Sequence, residues 1–328
     1  LGSLQWQIAL CYIDDVLCFS SSIDKHLHDL ETIFKRLDKA GLTLKPKKCH
    51  FFRKRVEFLG HVVSEEGIET DPSKVDKVLK CPTPKNVHEI RSAVGLFSYY
   101  RRFIPNFSEI AKPLVTLTEK ERPFVWGIAQ EEAFSELKRL LTVAPILAYP
   151  SSTAEFILDT DASQIGIGAV LSQVQDGEER VIAYGSKALS QSEQNYCTTR
   201  REMKSVVHFT KQYQHFLLGR RFKLRTDNSA VRYMRSMKYE PISHHVARWQ
   251  EKLADFDFII EHRPGRNHQN ADSLSRPPFV HCEQCNLRHY GALASKKGTP
   301  KLAEKKTAPK CTKDVKGNVK RPVVTSKT

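Results

Sequence analysis

No stretch of this 328-residue chain stays apolar for the length that a bilayer crossing needs, and its opening residues lack the charged-then-apolar form of a secretory signal. No membrane partner is expected. Cysteine is sparse and scattered: Cys11, Cys18, Cys49, Cys81, Cys197, Cys282, Cys285 and Cys311 form no disulfide framework and read as free thiols in a reducing compartment. Acid is in deficit. Against 52 Lys and Arg stand 37 Asp and Glu, a formal net charge of +15 with a pI near 9.4, which favours a polyanionic partner such as nucleic acid. The surplus is uneven. Residues 281–328 carry 12 Lys/Arg and 3 Asp/Glu, a surplus of +9 that leaves +6 for residues 1–280. The remaining balance, 40% hydrophobic and 27% charged, is that of a globular chain long enough for two or three cores.

Some of the acids sit in apolar surroundings. Tyr12-Ile13-Asp14-Asp15 follows Leu10-Cys11 and precedes Val16-Leu17. Ionised carboxylates are costly to bury unpaired, and adjacent strand residues point to opposite faces. Both aspartates can therefore aim at one point only where the chain turns. Leu4, Trp6, Ile8 and Leu10 alternate into the motif and Val16, Leu17 and Phe19 leave it, which predicts strand, turn, strand. An anionic pair at such a turn suits a hard divalent cation, magnesium above all; a solvated Asp-Asp turn is the alternative. Downstream, Leu27, Leu30, Ile33, Phe34 and Leu37 fall on one face of a core-facing helix over residues 24–40, with Gly41 as its stop. Val56 to Val63 reads as a strand and Ser64 to Gly67 as a turn. Asp71-Pro72-Ser73 starts one helix. Asn86, with Glu89 three residues on, starts a second through Ile90, Val94, Leu96 and Phe97 to Tyr99-Tyr100-Arg101-Arg102-Phe103.

Together these segments resemble the reverse transcriptase of gypsy-class long-terminal-repeat retrotransposon Pol polyproteins, and the resemblance runs collinearly from Leu4 to about Pro277. It implies that Asp14 and Asp15, with Tyr12 beside them, form a metal-binding polymerase hairpin. It implies that Phe58-Leu59-Gly60 is a primer grip, a hairpin that holds the primer's 3′ end, where Gly60 lets nucleic acid approach the backbone. Tyr99, Tyr100, Arg101 and Arg102 would lie in the thumb, tracking a phosphate backbone with aromatic contact to sugars or bases. A helix packed through its aromatics, with solvated arginines, is the alternative for these four.

A connection region follows, in which Phe124-Val125-Trp126 leads into a helix bearing Phe134, Leu137, Leu140 and Leu141; Pro145 and Pro150 then mark a boundary. Beyond it the pattern predicts three antiparallel strands, a helix over 198–213, a strand ending at Asp227, more helix, a strand over 256–261 and a last helix bearing Asp272. This order resembles the ribonuclease H fold. Asp159-Thr160-Asp161-Ala162-Ser163 also approaches the Asp-Thr-Gly-Ala-Ser loop of aspartic proteases, but the glycine is missing and the downstream pattern disagrees. The ribonuclease H resemblance implies four carboxylates around two divalent ions: Asp161 from the first strand, Glu202 from the helix, Asp227 at the fourth strand's end and Asp272 in the last helix. Read singly, Glu202 fits a solvated helix residue, Asp227 a helix N-cap and Asp272 a first-turn acid. Asp159 shares strand parity with Asp161, so only the family pattern separates them.

The implied architecture is an α+β and α/β multidomain chain. The C-terminal part of a reverse-transcriptase palm covers 1–68 and a helical thumb and connection 69–150. An RNase H-like mixed sheet with flanking helices covers 151–279, and a basic, largely disordered tail 280–328. Cys282 and Cys285 have zinc-ligand spacing with His281 and His289 nearby, but no second pair follows, so zinc there is disfavoured. The cofactor implied is magnesium, with manganese as substitute. The partners implied are an RNA/DNA hybrid, primer-template nucleic acid and the rest of a Pol polyprotein, its fingers, upstream palm and integrase. The location implied is the cytoplasm, in the element's particle, with the nucleus as a second site. A decayed or co-opted element that only binds nucleic acid is the rival reading. A reverse transcriptase also needs fingers and a further palm aspartate, which the resemblance puts ahead of Leu1. The chain is therefore expected not to extend a primer with magnesium and nucleotides; robust extension in that assay would overturn the expectation.

Overall fold

Ile13 turns the chain between the first two strands, β1 (Ala9–Tyr12) and β2 (Asp15–Cys18); its φ is +55°, and Tyr12 pairs with Asp15 across the turn. The computed structural model describes residues 1–228, 231 and 244–263, all within the first of two units, Leu1–Pro278 and Phe279–Thr328. The strand expected from Leu4 starts only at Ala9. Gly2–Leu4 is a 3-10 turn, and Trp6, with φ +71°, donates its amide to the Ala9 carbonyl at 2.9 Å, which closes a tight turn instead of extending a ladder. Helix α1 (Ile23–Lys39) begins on Ser22, whose side chain accepts the Lys25 amide. Its apolar stripe is not the core face that periodicity predicts. Ile33 is buried, but Leu27 is 53% and Phe34 38% exposed, with Phe51 edge-on to Phe34 at 6.1 Å.

The single strand expected over 56–63 is a hairpin: β3 (Arg55–Phe58), a turn at Leu59-Gly60, then β4 (His61–Ser64), with β5 (Ile68–Thr70) alongside. Leu59 and Gly60 have φ of +50° and +67°. Two successive positive φ values make the two-residue turn whose twist matches the strands it joins, and glycine takes the second without strain. Helix α2 (Pro72–Leu79) is capped by Asp71 and α3 (Val87–Tyr99) by Asn86. The face α3 buries is Ile90, Ala93 and Phe97, spaced i, i+3, i+7; Leu96, expected with them, is exposed. A 3-10 turn (Arg101–Phe103), α4 (Phe107–Ile110), α5 (Lys112–Thr116) and α6 (Ile128–Thr142) complete a core around Phe97, Phe103, Phe107, Leu114, Phe134 and Leu137.

The second core lies under a five-stranded sheet. Strands β6 (Phe156–Ala162), β7 (Gly166–Gln175) and β8 (Glu178–Ala188) form an antiparallel meander. Then come α7 (Gln191–Gln194), α8 (Thr198–Gln212), α9 (Gln214–Leu217), β9 (Arg221–Thr226), α10 (His244–Ala254) and β10 (Asp257–His262). The sheet order is β10-β9-β6-β7-β8, with β9 parallel to both β6 and β10. Met203, Val206 and Phe209 of α8 pack on Phe156, Leu158, Leu171, Phe222 and Leu224. The fully buried Gln173 side chain accepts the Ser151 amide at 2.8 Å and donates to the carbonyls of Ser151 (3.1 Å) and Ala154 (2.8 Å), so β7 braces the chain that enters the sheet. Among the described residues no helix is long and apolar enough to cross a membrane.

The seam between β8 and α8 is tightest at Gly185, where an added Cβ would stand 2.6 Å from the Tyr213 hydroxyl and 2.7 Å from Phe209. Gly185→Ala should therefore cost roughly 1–3 kcal/mol through overpacking. Urea unfolding should show a lower midpoint at unchanged slope; an unaltered midpoint would contradict this packing.

Candidate metal and nuclease site

Parallel pairing sets the site. Asp159 pairs with Arg225, and the same register carried two residues on puts Asp161 beside Asp227, just past the end of β9. Helix α8 crosses this edge. Its Ser205 hydroxyl lies 3.2 Å from the Asp161 carbonyl and 3.4 Å from that of Gly168, and Glu202 sits one turn earlier. One carboxylate oxygen from each of Asp161, Glu202 and Asp227 lies within 4.8 Å of the other two, the only such acidic group among the described residues. Glu202 is 3% and Asp161 7% exposed, whereas Asp227 stands at the open mouth. Burial, then the charges of Asp161 and Asp227, push Glu202 up to about 9, against the Ala162 amide and Arg201, which lower it. Glu202 Oε2 is buried with no hydrogen-bond partner among the described residues. Arg201, whose charge opposes that rise, has its Nη1 donating to the Ser163 carbonyl at 3.1 Å. Three converging oxygen donors, with one buried Glu202 oxygen unmet among the described residues, fit a hard divalent cation.

The sequence matches the family model for reverse transcriptase (RNA-dependent DNA polymerase) over residues 3–63 and that for the RNase H-like domain found in reverse transcriptase over 126–224. It is 38% identical over 268 residues to a retrovirus-related Pol polyprotein from transposon 297 of Drosophila melanogaster, covering 81% of this chain and 25% of that one. It is 34% identical over 279 residues to the transposon Tf2-3 polyprotein of Schizosaccharomyces pombe, covering 84% and 21% respectively. The chain is a relative of transposon Pol polyproteins. It spans about a quarter of the length of those it matches. Two solved structures of the foamy viral protease-reverse transcriptase share the fold. The one in complex with RNA/DNA hybrid has a TM-score of 0.69 at 21% identity, covering 90% of this chain and 38% of that one. The one in complex with double-stranded DNA has 0.67 at 23%, covering 77% and 54%.

In this Pol relative Asp159, the neighbour that strand parity cannot tell from Asp161, belongs to an ion network. Its carboxylate lies 3.8 Å from Arg225 and 3.5 Å from Arg263, and Arg225 also reaches Glu179 (2.9 Å) and Glu261 (3.1 Å). Burial still raises Asp159 to about 6, with Arg225 opposing. His262, left without a role by the sequence, has Nε2 3.0 Å from the Asp227 carbonyl. Asp272, His268, Cys282 and Cys285 lie outside the described residues.

In the segment that matches the reverse transcriptase model, Asp14 and Asp15 are exposed at the β1–β2 turn. Tyr12 and Tyr99 are exposed, Leu59 is partly so and Phe58 half-buried. Tyr99 donates its hydroxyl to the Leu59 carbonyl and Tyr100 to that of Gly60 at 2.6 Å, so both rings staple the Leu59-Gly60 turn. Three of the residues expected to meet nucleic acid are also engaged within the chain. Tyr100 is 1% exposed, its hydroxyl pushed up to about 12 by burial, and supports the hairpin from behind. Arg101 donates to the Ser186 carbonyl at 2.6 Å and Arg102 to that of Ile182 at 3.3 Å. Each guanidinium thus places one nitrogen on β8, and Arg101 remains exposed. Arg225 and Arg263 carried no motif that marked them for the ion network around Asp159.

Without metal, folded Glu202 keeps its proton to about pH 9, while the unfolded chain releases it near 4.5. Between those values the folded state binds more protons, so stability falls as pH rises. In EDTA the Tm should decline between about pH 7 and 9, and Glu202→Gln should flatten that decline. A wild-type Tm independent of pH in this range would refute it.

Proposed function

We propose that this chain hydrolyses the RNA strand of RNA/DNA hybrids at Asp161, Glu202 and Asp227, with Asp272 as a fourth acid. The observation that carries this reading is the convergence of three carboxylates, far apart in sequence, within 4.8 Å, with a buried Glu202 oxygen unmet among the described residues. Asp161 and Asp227, on adjacent strand ends, would hold the cations together with Glu202 and Asp272. Glu202 Oε2 would accept a hydrogen bond from the attacking water. The buried pair excludes bulk water from the rear, and the exposed Asp227 leaves the front open to a phosphate. Magnesium, or manganese in its place, would supply a more acidic nucleophilic water and positive charge at the departing oxygen of an in-line displacement. A hybrid bound to a structure of the same fold supports the substrate class.

RNA-directed DNA synthesis is proposed only for a whole Pol protein, whose fingers and upstream palm would join Asp14 and Asp15 in holding magnesium. Tyr12, Leu59, Gly60 and Tyr99 are the residues proposed to meet primer-template.

A labelled hybrid tests the nuclease. Cleavage should need magnesium or manganese. Asp227→Asn and Glu202→Gln should each lower it by at least about a hundredfold, since even groups that only orient metal ligands cost 10–100-fold, while hybrid binding persists. Deleting residues 280–328 should weaken binding at low salt and leave cleavage intact. A wild type that binds hybrid and never cuts it would favour the reading of a nucleic-acid-binding protein alone.

A further inference from the structure

We infer that Glu109 is a positioning residue for the acidic site: it reaches out of the helical module and fixes, through the Ser163 hydroxyl, the turn that follows Asp161. The inference rests on the nuclease reading. Glu109 sits on α4 and is 7% exposed, an expensive place for a carboxyl group. Packing alone does not call for an acid there. Its Oε1 accepts the Ser163 hydroxyl, and its Oε2 is buried with no hydrogen-bond partner among the described residues. Ser163 Oγ in turn receives the amides of Ile165 at 3.2 Å and Gly166 at 2.9 Å. A hydroxyl has one hydrogen and two lone pairs. An acceptor at Glu109 claims the hydrogen and leaves both lone pairs to the two amides. Without it the hydrogen would swing to the Gly166 carbonyl, 3.1 Å away and already taken by the Ser163 amide. Gly166 fits the same contact, since a Cβ there would stand 2.6 Å from Glu109 Oε1.

The turn is thus gripped from two sides. Arg201, next to Glu202, holds the Ser163 carbonyl at 3.1 Å, and Glu109 holds the Ser163 hydroxyl. Helix α4 is itself anchored: the Ser108 amide donates to Ser186 Oγ at 3.0 Å and Arg101 to the Ser186 carbonyl at 2.6 Å. Asp161 lies two residues before Ser163, so a shift of the turn moves one carboxylate relative to the other two.

Three variants of the full chain test this: Glu109→Ala; Glu109→Gln, which keeps an acceptor oxygen; and Ile110→Val, which thins the same helix away from Ser163. Amide exchange is read without metal, and magnesium affinity by titration calorimetry. Glu109→Ala should lose protection at Ile165 and Gly166 and bind magnesium roughly tenfold more weakly, the lower end expected for a group that orients ligands. Its cleavage should fall in kcat with little change in KM for hybrid. Glu109→Gln should restore all three, and Ile110→Val should alter none. Wild-type exchange and affinity in the Ala variant, failure of Gln to rescue, or an equal effect of Ile110→Val would overturn the inference. A wild type that binds magnesium but never cleaves would remove the nuclease reading and leave Glu109 to be judged on exchange and affinity alone.

Discussion

Carboxyl groups that must stand together repel one another, and this fold spends apolar packing to hold them. At 4.8 Å, two ionised carboxylates in a protein-like dielectric oppose each other by roughly 3–4 kcal/mol. Backbone and core supply the opposing force. Parallel pairing of β6 with β9 fixes two acids on neighbouring strand ends, and Met203, Val206 and Phe209 press α8 onto the sheet so that Glu202 cannot retreat. Glu202 relieves the strain by keeping its proton, which a bound cation would displace. The acidity of the site is therefore a property of the whole second core.

The motifs were legible in the chain, while their orientation was only partly so. Asp161, Glu202 and Asp227 stood out only through the family resemblance and the order of its motifs, since read singly each fits an ordinary strand-end or helix acid. The choice between Asp159 and Asp161 was not legible in strand parity, because both share one strand face; it is decided by Arg225 and Arg263, far along the chain. Tyr100, Arg101 and Arg102 show what a local run leaves out, namely the distant backbone it bonds. Their run reads as a basic, aromatic nucleic-acid surface, yet Arg101 bonds a carbonyl 85 residues away. At Leu59 periodicity and resemblance part: apolar residues on both sides extend a strand pattern straight through a turn that a leucine at φ +50° rarely announces, whereas the primer-grip resemblance implies a hairpin there. In α1 the helical period was correct and the burial was not, because periodicity names a face without saying what covers it.

The helical module also manages an edge. Strand β8 is outermost in the sheet, and its carbonyls at Val181, Ile182 and Ser186 receive the Ala148 amide, Arg102 and Arg101. An unpaired strand edge invites pairing with other chains. Here side chains and a single backbone amide from the preceding module cap it.

The Gln173 brace carries a last implication. Proteolytic nicking concentrates where backbone is exposed and untied. The passage between the two cores looks like such a place from its prolines and serines, but Ser151 and Ala154 are knotted to a buried glutamine of β7. A protease would find this junction a poor substrate until β7 itself gave way, and the two halves have little freedom to hinge there.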